Sequence, residues 1–92
     1  MTHIDAFLAA LRAKAGTGFR YRREATPWCS GSLSGELHAL TLLFEHRADG
    51  TRLLDGLADH EFPLRGHFVA EIIAEAQGEG RIELEALILP SD

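Results

Sequence analysis

An α+β two-layer sandwich, in which a four- or five-stranded, mainly antiparallel sheet carries two helices on one face, is what this chain's sequence predicts. Three stretches carry the expectation. Residues 2–16 repeat apolar side chains at helical spacing, and Leu37 to His46 is an apolar run of strand length. Two strand-like runs between His67 and Leu89 meet at Gln77-Gly78-Glu79-Gly80, a hairpin signal with two glycines in the loop. The expected order is α-β-β(-β)-α-β-β. Ninety-two residues make one α+β domain spanning residues 1–92, able to bury roughly 60 to 65 % of its unfolded surface.

The first helix is expected at residues 3–15. Thr2 stands three residues before Asp5 as a variant capping box, and Ile4, Phe7, Leu8 and Leu11 form one stripe. Arg12 and Lys14 suit the negative end of the helix dipole, and Gly16 is a C-cap. Phe19 to Glu24 then alternates Phe19, Tyr21 and Arg23 against Arg20, Arg22 and Glu24, a short strand that Ala25-Thr26-Pro27 is expected to break. Trp28 to Leu33 reads as a further strand, and Ser34-Gly35 as a two-residue turn.

Leu37 to His46 is the longest strand expected. His38, Leu40, Leu42, Phe44 and His46 lie on one face, with Leu37, Ala39, Thr41, Leu43 and Glu45 on the other. Neither face is polar, which predicts a central strand covered by helices on one side and by something else on the other. Asp49-Gly50-Thr51 offers N-caps for a second helix running through Leu53, Leu54 and Leu57 to about Asp59, with Gly56 as a weak point. Phe62 is expected to return to the core. In the C-terminal hairpin, Phe68, Ala70, Ile72 and Ala74 share a face opposite Glu71 and Glu75, while Ile82 to Leu89 alternates with glutamates before becoming wholly apolar. The uncovered face of the sheet is expected to hold Leu37, Leu43, Val69, Ile73, Leu87 and Leu89, more apolar surface than a small monomer tolerates.

The composition, 46 % hydrophobic and 25 % charged, excludes disordered and low-complexity classes. No apolar run reaches the ~18 residues of a membrane span and no signal peptide is evident, so a cytoplasmic location is expected. A single cysteine, Cys29, makes no internal disulfide. A net charge of -5 argues against general nucleic-acid binding. Residues 1–35 hold five basic against two acidic side chains and residues 36–92 four against twelve, an asymmetry that suits charge complementarity within the fold or between subunits.

No catalytic, cofactor or metal residue is assigned from the sequence. His38 and His46 lie eight residues apart on one strand, roughly 27 Å, too far to share an ion. His46, His60 and His67 with Glu61 form a grouping if the ends of two strands converge, but the chain has no HxxxH, HExxH or CxxC. Cys29 beside Ser30-Gly31-Ser32 has the flexible setting of a nucleophile and no fixed base, and a buried inert thiol is the commoner outcome. Arg20, Arg22 and Arg23, interleaved with Tyr21, are the only dense basic stretch, and a solvated strand face is the simpler reading.

Three functions from different classes follow. The first, and favoured, is a non-enzymatic module that self-associates as a homodimer or binds a protein partner through its sheet. The second is a small-molecule binder or enzyme with a pocket near Trp28, Cys29, His38 and His67. The third is a nucleic-acid contact through Arg20, Arg22 and Arg23.

Overall fold

Thr2 closes the first helix in both directions. Its hydroxyl accepts from the Asp5 backbone N–H at 3.2 Å and its own N–H donates to the Asp5 carboxylate at 3.3 Å, a complete capping box. In this computed structural model, which describes residues 2–91, α1 spans His3–Ala15, buries Phe7, Leu8, Leu11 and Ala15, and ends on the C-cap Gly16. Helix α2 spans Arg47–Leu54 and is followed by a 3-10 turn at Leu57–Asp59. It begins earlier than the sequence suggests: Asp49, Gly50 and Thr51 lie inside it, and the N-cap is His46. At Gly50 α2 sits close against the sheet, since a Cβ there would come within 3.1 Å of Ile82.

Four strands form one antiparallel sheet: β1 Arg20–Ser30, β2 Leu33–Leu43, β3 His67–Gly78 and β4 Arg81–Pro90, in the order β1-β2-β4-β3. The fold is therefore α+β with the order α-β-β-α-β-β. Pro27 does not break β1, because an edge strand can leave the missing N–H on its solvent side. The hairpin turn is consequently Gly31-Ser32, not Ser34-Gly35. Gly31 takes the positive φ of +60° that this tight turn needs, and Ser34 and Gly35 pair within β2.

Directly opposed residues share a sheet face, so the register sorts the side chains. Tyr21, Arg23 and Ala25 of β1, His38, Leu40 and Leu42 of β2, and Ile82, Leu84, Ala86 and Ile88 of β4 point toward the helices. The last seven, with Phe7, Leu8, Leu11, Leu53 and Leu57, are buried to within 5 % exposure and make the core. Phe62 returns to it as expected, its ring 4.9 Å from that of Phe7.

Strand β3 departs from strict alternation. A bulge at Ala70, where Val69 pairs with Ile88 but Glu71 already pairs with Leu87, reverses the side-chain order. Val69, Ile72 and Ala74 therefore pack on the core, while Phe68 and Ile73 face away from it. This corrects the expected sharing of one face by Phe68, Ala70, Ile72 and Ala74, and removes Val69 from the open face. The end of β4 is fastened by the Ser91 N–H, which donates to the Gly66 carbonyl at 2.9 Å; the sequence alone predicts that Pro90-Ser91-Asp92 frays, and Asp92 lies outside the described residues.

Candidate functional site

Two features stand out on this scaffold, at one end of the helix-covered face and across the whole of the other.

His38 is the one core position where alternation delivers a polar side chain. It is flanked by Ala25 on β1 and Ala86 on β4, whose small side chains leave room for the imidazole, and its exposure is 0 %. Both ring nitrogens are buried without a hydrogen-bond partner among the described residues. That is a costly state for a polar group. The capped first turn of α1 places His3 against it, the ring centroids 6.0 Å apart and edge-on, and His3 in turn stacks on His67 of β3 at 3.9 Å. Glu36 completes the group. It lies two residues before His38, on the same face, and its Oε1 is 3.6 Å from His38 Nε2 and 3.9 Å from His3 Nε2.

Burial pushes the pKa of His38 down, against a smaller opposing pull from Glu36; His3 is lowered by burial and by the neighbouring His67. Arg23 adds a weaker push in the same direction on both. Both shifts favour the neutral imidazole. Neutral imidazole nitrogens are proton acceptors and metal ligands.

The opposite face of the sheet has no helix over it. In rows across β1, β2, β4 and β3 it carries Arg22, Thr41, Glu83 and Glu75; then Glu24, Ala39, Glu85 and Ile73; then Thr26, Leu37, Leu87 and Glu71. A last row sets Trp28, Gly35, Leu89 and Phe68 side by side. Among the described residues, Leu33, Leu43, Phe68 and Ile73, four of the five large apolar side chains left exposed, lie here. Trp28, Leu37, Glu71, Ile73, Glu85 and Leu87 line a shallow groove of about 240 Å³. Leu89 is buried even here, because Gly35 has no side chain and Leu89 fills the space.

Charge on this face is uneven. Arg20 and Arg22 stand on the β1 edge with no ion-pair partner among the described residues, beside Glu24, while Glu71, Glu75, Glu83 and Glu85 lie on β3 and β4. Glu83 alone of these is neutralised, accepting from Arg81 at 2.9 Å and from Thr41 Oγ1 at 2.9 Å; the Arg81 bonds first, and the Thr41 bonds second, lower its pKa.

The residues singled out from the sequence fall into separate places. His38 and His67 come together on the helix-covered side, joined by His3 and Glu36. Trp28 is on the other face, so the pocket drawn through Trp28, Cys29, His38 and His67 is divided by the sheet. Cys29 is exposed on edge strand β1 and not buried as expected, because the strand that carries it has only one neighbour. The grouping of His46, His60 and His67 does not form: His46 caps α2 at the far end of the sheet and His60 packs on Phe62. A concavity of about 650 Å³ lies elsewhere again, between the α1–β1 loop and the β2–α2 junction, with Arg20, His46 and Asp49 in its wall.

Sequence reasoning missed His3 and Glu36. A local signal existed in Glu36-x-His38, two potential ligands on one strand face, but only the tertiary fold brings His3 to them. No family model, curated protein or solved structure compared with this chain matches it, and no helix in the described residues is long and apolar enough to cross a membrane.

Proposed function

We propose that this chain is a self-associating module whose open sheet face pairs with the same face of a second copy. The observation that carries the reading is the concentration of exposed Leu33, Leu43, Phe68 and Ile73 on the one sheet face that no helix covers. Four strands at ~4.8 Å and about nine residues at ~3.4 Å give a face on the order of 19 by 30 Å, the same order as the ~800 Å² a standard interface takes from each partner.

A two-fold axis parallel to the strands sets β1 of one copy over β3 of the other and β2 over β4. In the observed register this lays Trp28 on Phe68, Leu37 on Leu87 and Arg22 on Glu75, each contact made twice. Each row meets itself reversed: the row of Trp28 and Phe68 is apolar on apolar, Arg22 of one copy meets Glu75 of the other, and Glu24 lies over Ile73. An axis perpendicular to the strands through the middle of the face would set β1 over β1 with the rows reversed, so that Arg22 meets Trp28 and no carboxylate. The single exposed thiol, Cys29, suits a cytoplasmic, reducing compartment, and the reading requires no catalytic group.

A charge-swap series tests this arrangement. Arg22→Glu and Glu75→Arg each should weaken association several-fold, and the double variant should recover it, as read by sedimentation velocity. Ile73→Asp, which would set a carboxylate against Glu24 of the other copy, should give a monomer. A dimer indifferent to Ile73→Asp would place the contact on an edge strand and overturn the reading.

A further inference from the structure

His3, Glu36 and His38 present two imidazole nitrogens and a carboxylate oxygen that all lie within 4.8 Å of one another. From this juxtaposition we infer that the chain binds one divalent transition-metal ion of the zinc class, held between the first turn of α1 and strand β2.

Three lines of geometry support the assignment. A zinc ion takes nitrogen ligands at ~2.0–2.1 Å and carboxylate oxygens at ~2.0–2.2 Å, which sets neighbouring ligand atoms of a tetrahedron about 3.3–3.5 Å apart. The Glu36 oxygen lies 3.6 Å from His38 Nε2 and 3.9 Å from His3 Nε2, so closure needs only small movements of side chains. His38 supplies the independent sign. It is fully buried, neither ring nitrogen has a partner among the described residues, and its Nε2 points to the carboxylate from beyond hydrogen-bond length. A ligated nitrogen would no longer be unsatisfied. Two imidazoles and one carboxylate suit zinc, cobalt, nickel or ferrous iron and disfavour calcium and magnesium, which take oxygen donors.

The elements give the ion a role. Glu36 and His38 sit on the central strand β2, at fixed positions two apart, whereas His3 is the first residue of α1. An ion joining them fastens the helix start to the sheet. His67, stacked on His3, holds that imidazole in place and is a positioning residue. The half-exposed Glu36 leaves the fourth position of a tetrahedral site on the solvent side.

The test uses the whole chain, stripped with a chelator and titrated with Zn²⁺ by calorimetry and with Co²⁺ by visible absorption. One ion per chain is expected, with the absorption of a four-coordinate cobalt centre. His3→Ala and Glu36→Gln should each weaken binding at least tenfold, while His46→Ala and His60→Ala leave it unchanged. His38→Leu should abolish binding and still fold, as circular dichroism and a thermal melt will show, because it replaces an unsatisfied polar group with an apolar one of similar size. Absence of saturable binding would overturn the inference. So would binding lost only in His3→Ala, which would place the ion on the start of the chain, or binding that depends on His46 or His60. None of these variants lies on the open sheet face, so failure here leaves self-association standing.

Discussion

Leu8 and Leu84 mark the two layers of the core, one on the buried stripe of α1 and the other on β4, at 4 % and 1 % exposure. Truncating either to alanine should cost about 2 to 5 kcal/mol by denaturant unfolding, because the removed methyls leave a cavity that strand and helix backbones cannot close. Losses under about 1 kcal/mol for both would contradict this core. Glu83 sets a pH dependence. Its bonds to Arg81 and Thr41 hold its folded pKa below the ordinary carboxylate value of about 4.3, so the unfolded chain takes up the proton first as pH falls. The stability contributed is present above that value and lost below it. Glu83→Gln should therefore flatten the acid limb of a melting-temperature profile, and a limb unchanged by the substitution would remove Glu83 from the account.

The elements show which features of the chain are local and which are not. Helix α1, with its capping box, stripe and C-cap, was legible within its own fifteen residues, and so was the C-terminal hairpin, because period and turn chemistry act over short distances. Strand β1 was not. Whether Pro27 ends a strand depends on which side has a neighbour, and the sequence holds no local record that β1 is an edge. The bulge at Ala70 was hidden for a similar reason: an extra residue is fixed by the pairing of Val69 and Glu71 with β4 and leaves the alternation of β3 itself looking regular. The histidine cluster was half legible. Glu36 and His38 share a strand face at a spacing of two, but His3 arrives only through the docking of α1. Gly35 carries a prediction at this level. A Cβ there would collide with the Leu89 side chain and the Ile88 carbonyl, so Gly35→Ala should destabilise by about 1 to 3 kcal/mol despite improving strand propensity. A neutral or stabilising result would mean that β2 and β4 are not held in this register.

At the level of the whole molecule, two short helices cover one face of the sheet and leave the other open. Strands β1 and β3 are both edges, yet each is guarded against indiscriminate pairing, β1 by Pro27 and its charges and β3 by its bulge and glutamates. The apolar rows of the open face have no such guard. In the proposed dimer a two-fold partner would cover them, set Arg22 against Glu75, and need no other gene product. Sedimentation equilibrium of the unmodified chain over a dilution series from high to low micromolar concentration measures this most directly. The account predicts a mass of twice 10.1 kDa that falls toward 10.1 kDa only on dilution. A 10.1 kDa species persisting to the highest concentration would contradict it.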